Sequence, residues 1–85
     1  MKFGLFYLPT YLPGTETLNK RMHNIVEQVE YADQVGIDYV WMVEHHFVRH
    51  GGFLSANYAF LCYLAARTNR IRLGTGATVL PCLLY

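Results

Sequence analysis

The stretch Gly36-Ile37-Asp38-Tyr39-Val40-Trp41-Met42-Val43-Glu44-His45-His46-Phe47 decides how this chain folds. Its leading glycine takes the left-handed conformation without steric cost and so ends a preceding helix. Residues 37–43 are almost wholly apolar, and Tyr39, Val40 and Trp41 favour an extended backbone. Continuous rather than alternating hydrophobicity suits a strand buried on both faces, as in a parallel sheet. The titratable run Glu44-His45-His46 begins where that strand stops.

Upstream, Leu18, Met22, Ile25, Val26, Val29, Ala32 and Val35 recur at spacings of three and four. They form one apolar helical stripe, with Lys20, Arg21, Glu27, Gln28 and Asp33 mostly off it. Thr15 or Thr17 caps this helix and Gly36 closes it. Residues 2–8 read as a first buried strand, followed by a loop with a Pro13-Gly14 turn. Downstream, a loop rich in His and Gly covers residues 44–54. A second helix, capped by Ser55 or Asn57, runs to about Arg67, apolar on more than one face, as in buried helices and subunit contacts. A third strand over residues 71–80 is interrupted by Gly74 and Gly76 and closed by Pro81. Strand, helix, strand, helix, strand with short connections predicts right-handed parallel crossovers in an α/β fold.

Hydrophobic residues make up 53% of the 85 and charged residues 15%. Soluble domains average about 25% charged, and a short chain needs more polar surface, not less. The surplus of apolar residues fits a piece of a larger fold. With a net charge of +1 and scattered basic residues, nucleic acid is not an expected partner. No segment reaches the roughly 18 apolar residues that a membrane helix needs, and the N-terminus lacks a signal-peptide cleavage pattern. Cys62 and Cys82 match no metal or redox spacing and read as reduced thiols. The expected setting is soluble and cytoplasmic.

Position makes Glu44-His45-His46 the first candidate for chemistry, because strand C-termini converge on the active site in parallel α/β folds. A neutral histidine takes a proton near pH 7, and a neighbouring carboxylate holds its tautomer. The plainer alternative has one histidine filling space while the other faces solvent. Adjacent histidines on an extended chain point opposite ways and seldom share one ion, so no metal site is expected. Gly74-Thr75-Gly76-Ala77 fails the dinucleotide fingerprint, since Val79 stands where a third glycine is required. Glycines inside a buried strand mark either a close approach by ligand or tight packing of a helix on the strand.

Three runs together resemble the luciferase-like monooxygenases, with bacterial luciferase and its alpha subunit the nearest likeness. They are the opening Met-Lys-Phe-Gly-Leu-Phe-Tyr, the stretch from Gly36 to Phe47, and Ile71-Arg72-Leu73-Gly74-Thr75-Gly76-Ala77-Thr78-Val79-Leu80-Pro81. The resemblance covers nearly the whole chain in order. It implies that residues 1–85 are the N-terminal portion of a (β/α)8 barrel domain, its first three parallel strands and two helices. It also implies reduced flavin mononucleotide, or a deazaflavin in some branches. With molecular oxygen, such enzymes oxidise an aldehyde or similar small organic substrate. A flavin reductase as flavin source and a homo- or heterodimeric full-length protein are implied too.

Carried over residue by residue, His45 matches the catalytic acid/base, and Glu44 matches the acidic residue on the flavin side of the pocket. Gly76 and Ala77 match the segment against the flavin ring, where the resemblance implies a non-proline cis peptide. His46 falls at a supporting position. The small face around Ala59, Cys62 and Ala66 matches the family's dimer contact. After Pro81 the family continues with a polar loop, whereas Cys82-Leu83-Leu84-Tyr85 follows here. The alternative is a barrel that binds flavin without catalysis, as in a luciferase beta-like partner subunit.

Overall fold

The computed structural model describes residues 1–10, 14–46 and 54–78. The elements run β1 (Gly4–Tyr7), α1 (Leu18–Val35), β2 (Tyr39–Met42), α2 (Asn57–Arg67) and β3 (Arg72–Thr75). The strands form one all-parallel sheet in the order β1-β2-β3, with Phe6 level with Trp41 and Trp41 level with Gly74. Each strand is shorter than its apolar run, because the ladder covers only the stretch where all three strands overlap.

Helix α1 begins and ends where its polar signals place it. The Thr17 hydroxyl accepts from Lys20 N at 3.1 Å, and Gly36 adopts φ 99° beyond the last turn. Ile25, Val26, Val29 and Ala32 are buried as the stripe requires, but its ends, Leu18 and Val35, are exposed. Leu18 instead lines an apolar cleft of about 400 Å³ with Ala56, Ala59 and Tyr63. Neither expected residue caps α2. Its N-cap is Ala56, which makes no capping bond.

The core lies between one face of the sheet and both helices. Val40 and Met42 meet Ile25 and Val29 of α1 and Phe60, Leu61 and Leu64 of α2. Two polar ties complete the assembly. Arg67 donates to Glu30 at 2.9 Å across the helices. Asp33, near the end of α1, accepts from the backbone N–H groups of Asn69, Arg70 and Ile71, which fixes the turn into β3. The opposite face of the sheet carries Phe6 and Trp41, both largely exposed. Further strands of a barrel would add at the outer edges of β1 and β3, with that face turned to the barrel interior.

Candidate functional site

In a parallel sheet all strands end on one side, and the register here makes Tyr7, Met42 and Thr75 level. The residues just beyond them therefore form one rim: Leu8 after β1, Val43 to His46 after β2, and Gly76 to Thr78 after β3. Backbone bonds tie it together, with Val43 N donating to Tyr7 O at 3.2 Å and Gly76 N to Met42 O at 2.8 Å. The Glu-His cluster and the double-glycine stretch, remote in sequence, are thus brought to the same edge.

Glu44 is buried, with 2% of its surface exposed, and its Oε2 lies 3.1 Å from His46 Nε2. On an extended chain residues i and i+2 share a side, so the carboxylate meets His46 rather than its immediate neighbour. His45 is half-buried, and its backbone N–H donates to Leu54 O at 2.9 Å, holding the strand extension in place. Behind the rim, the Tyr7 hydroxyl donates to Gln28 at 3.0 Å. Burial raises the Tyr7 pKa above its ordinary value, opposed by the nearby Arg21 charge, so this phenol stays a proton donor at neutral pH.

The double glycine serves neighbouring side chains, not a helix. A Cβ on Gly74 would fall 2.5 Å from Trp41 Cζ3, because the indole lies flat over that residue on the uncovered face. A Cβ on Gly76 would fall 2.9 Å from Val43 Cγ1 and 3.1 Å from Phe6 Cε2. Packing of a helix against these glycines, one of the two sequence expectations, is therefore corrected, since both helices lie on the other face. The cis peptide expected at Gly76-Ala77 is corrected as well, for the described residues contain no cis peptide bond and this one is trans. β3 ends at Thr75, and the chain bends at Gly76 as it reaches the rim.

Sequence reading missed Asn57 as a rim residue. Its side chain is fully buried and its Nδ2 donates to Met42 O at 3.3 Å and Ala77 O at 3.0 Å. Placed near a helix start, asparagine reads as a cap, and only the tertiary fold turns it towards the strands. The cations Lys2, Arg70 and Arg72 gather elsewhere, around a cleft of about 230 Å³ at the opposite end of the sheet. Among the described residues no three His, Cys, Asp or Glu side chains converge as a metal set, and no helix is long and apolar enough to cross a membrane. Cys62 is a free, exposed thiol on α2, beside exposed Ala59 and Ala66, while Cys82 lies outside the described residues.

A parallel sheet with helical crossovers and titratable residues beyond the strand C-termini is an α/β arrangement that matches the first three strands of a β/α barrel. Comparison with known proteins gives the class a family. The family model for luciferase-like monooxygenases matches residues 1–83. The alkanal monooxygenase alpha chain of Photorhabdus laumondii is 38% identical over 81 residues, covering 95% of this chain and 22% of that protein. The oxygenase component of flavin-dependent trigonelline monooxygenase from Acinetobacter baylyi is 32% identical over 83 residues, covering 95% and 22%. Among solved structures, the oxygenating constituent of 3,6-diketocamphane monooxygenase from Pseudomonas putida, in complex with FMN, superposes with a TM-score of 0.83. It is 25% identical, over 95% of this chain and 22% of that one. The chain belongs to the luciferase-like monooxygenase family, and it spans about a fifth of the length of these relatives.

Proposed function

We propose that residues 1–85 form part of the active-site wall of a flavin-dependent monooxygenase, within a single barrel domain. One observation carries the reading. Parallel β2 and β3 bring the Glu44-His45-His46 cluster and the small-residue strip Gly76-Ala77 to a shared rim, joined by the 2.8 Å bond from Gly76 N to Met42 O. The strip is fit to hold a flat aromatic ring. Gly76 and Ala77 are exposed, no side chain longer than a methyl projects from them, and apolar Phe6 and Val43 lie alongside.

In this reading Gly76 and Ala77 would hold the isoalloxazine ring of FMN, the molecule with which the Pseudomonas relative is in complex, in its reduced form. Bound there, reduced flavin would supply the two electrons with which one atom of molecular oxygen enters a small organic substrate such as an aldehyde and the other leaves as water. His45 moves the proton, as an imidazole suits near neutral pH. Glu44 acts through His46, because its carboxylate is buried against that ring, and the pair stiffens the segment that carries His45. Flavin reductase is the expected electron source, in keeping with the description of the Acinetobacter relative as an oxygenase component. Dimerisation through the exposed face of α2 around Ala59, Cys62 and Ala66 belongs to the same proposal.

The test is titration of the protein carrying a complete barrel with reduced FMN and with a reduced deazaflavin under anaerobic conditions, followed by oxygen and an aldehyde. FMN binding and aldehyde oxidation are expected. Preference for deazaflavin would change the cofactor, binding without turnover would favour a non-catalytic partner subunit, and no flavin binding would overturn the reading.

A further inference from the structure

We propose that Asn57 is a positioning residue, whose side-chain amide clamps the ends of β2 and β3 and so sets where Gly76-Ala77 stands relative to Glu44-His45-His46. The inference rests on the reading of that rim as a flavin site. The bond from Gly76 N to Met42 O is the last described backbone link between the two strands, and three residues further on, past the end of β2, the chain turns to a different partner, with His45 N donating to Leu54 O. The Asn57 amide takes over at that point. Its Nδ2 reaches Met42 O on β2 and Ala77 O just past β3.

The orientation of the amide follows from chemistry. Carbonyl oxygens only accept, so the NH₂ group, with its two hydrogens, must face both of them. Asn57 is also fully buried, and a buried donor is costly unless its bonds are made; Nδ2 makes both of its bonds, while Oδ1 has no partner among the described residues. Nor does the side chain serve its own helix, for α2 is preceded by Ala56 and has no side-chain cap. Its donors go to the two strand ends. Gly76 and Ala77 offer no long side chain to anchor their own segment, so the clamp adds to the Gly76 N–Met42 O bond and the Thr78–Tyr58 hydroxyl contact in restraining it.

The test uses two variants in the protein carrying the complete barrel. Asn57→Asp keeps the shape but sets oxygen against both carbonyls. Asn57→Leu keeps similar volume and removes both donors. We expect each to weaken FMN binding by about tenfold or more and to change the visible absorption of bound FMN, since misplacing a contact by an ångström is enough for such a loss. If Asn57→Asp fails to fold, Asn57→Leu decides the matter. A folded Asn57→Leu protein with wild-type FMN affinity and spectrum would overturn the proposal. Should the wild-type protein bind no flavin, the functional reading fails by itself, and the clamp is then judged by hydrogen exchange. Faster exchange at the Gly76 amide in Asn57→Leu supports it, and unchanged exchange refutes it.

Discussion

Glu44 and His46 meet at 3.1 Å just past the end of β2, the carboxylate wholly buried and the imidazole 18% exposed. A buried carboxylate is tolerated when it is paired, and a buried acceptor that loses a donor typically costs about 1–3 kcal/mol. His46→Leu is therefore expected to destabilise the protein by about 1–3 kcal/mol. The Glu44→Gln, His46→Leu double variant should recover part of the loss. Denaturant unfolding of wild type, Glu44→Gln, His46→Leu and the double variant checks this, and strictly additive losses would mean that the two groups do not act as a pair.

His45 carries a different expectation, because its proposed work is proton transfer and not support. In a complete barrel, His45→Ala should lower turnover by about 10²- to 10⁴-fold while leaving FMN affinity within a few-fold of wild type. Steady-state kinetics and flavin titration separate the two effects. Unchanged turnover would remove His45 from the mechanism.

Trp41 reports on the open face of the sheet. It is the sole tryptophan, and its indole occupies the space that a Cβ on Gly74 would need. Gly74→Ala should push the ring off the sheet, shift its fluorescence emission to the red, and cost about 1–3 kcal/mol, as overpacking does. The Gly74→Ala, Trp41→Leu double variant should regain most of that stability. An unaltered emission spectrum in Gly74→Ala would show that the indole does not lie there.

Asp33 links stability to pH. Its carboxylate accepts from the backbone N–H groups of Asn69, Ile71 and Arg70, which lower its pKa below the ordinary value, helped by the Arg70 charge. A lowered folded-state pKa stabilises the protein above the unfolded value, near 3.9, and the contribution is lost as pH falls through the folded value. Unfolding free energy should accordingly decline below about pH 4–5, and Asp33→Asn should flatten that acid limb. Parallel acid limbs in wild type and variant would contradict the assignment.

The chain's pattern made the sheet legible wherever the local signal and the tertiary fold agree. Thr17 and Gly36 bound α1 because caps and left-handed glycines are local chemistry. The apolar run around Val40 became the central strand, with β1 and β3 paired along its two edges, but only one of its faces is buried, since Trp41 on the other is exposed. Reading failed where tertiary contacts overrode local preference. Asn57 sits where a cap is expected and bonds instead to two strands. Leu18 and Val35 keep helical periodicity yet lie beyond the ends of the core. The candidate site was legible in position, since strand C-termini could be counted along the chain. Its pairing was not, because the choice of His46 over His45 by Glu44 depends on which side of the extended backbone is buried.

The central claim places flavin at the rim shared by β2 and β3, and chemical-shift mapping addresses it most directly. A complete barrel labelled with ¹⁵N is titrated with FMN, and backbone amide shifts are followed along residues 1–85. The account predicts the largest changes at Glu44, His45, Gly76 and Ala77, with Lys2, Asp38 and Arg72 at the other end of the sheet unmoved. Changes centred on that other end, with the rim silent, would contradict it.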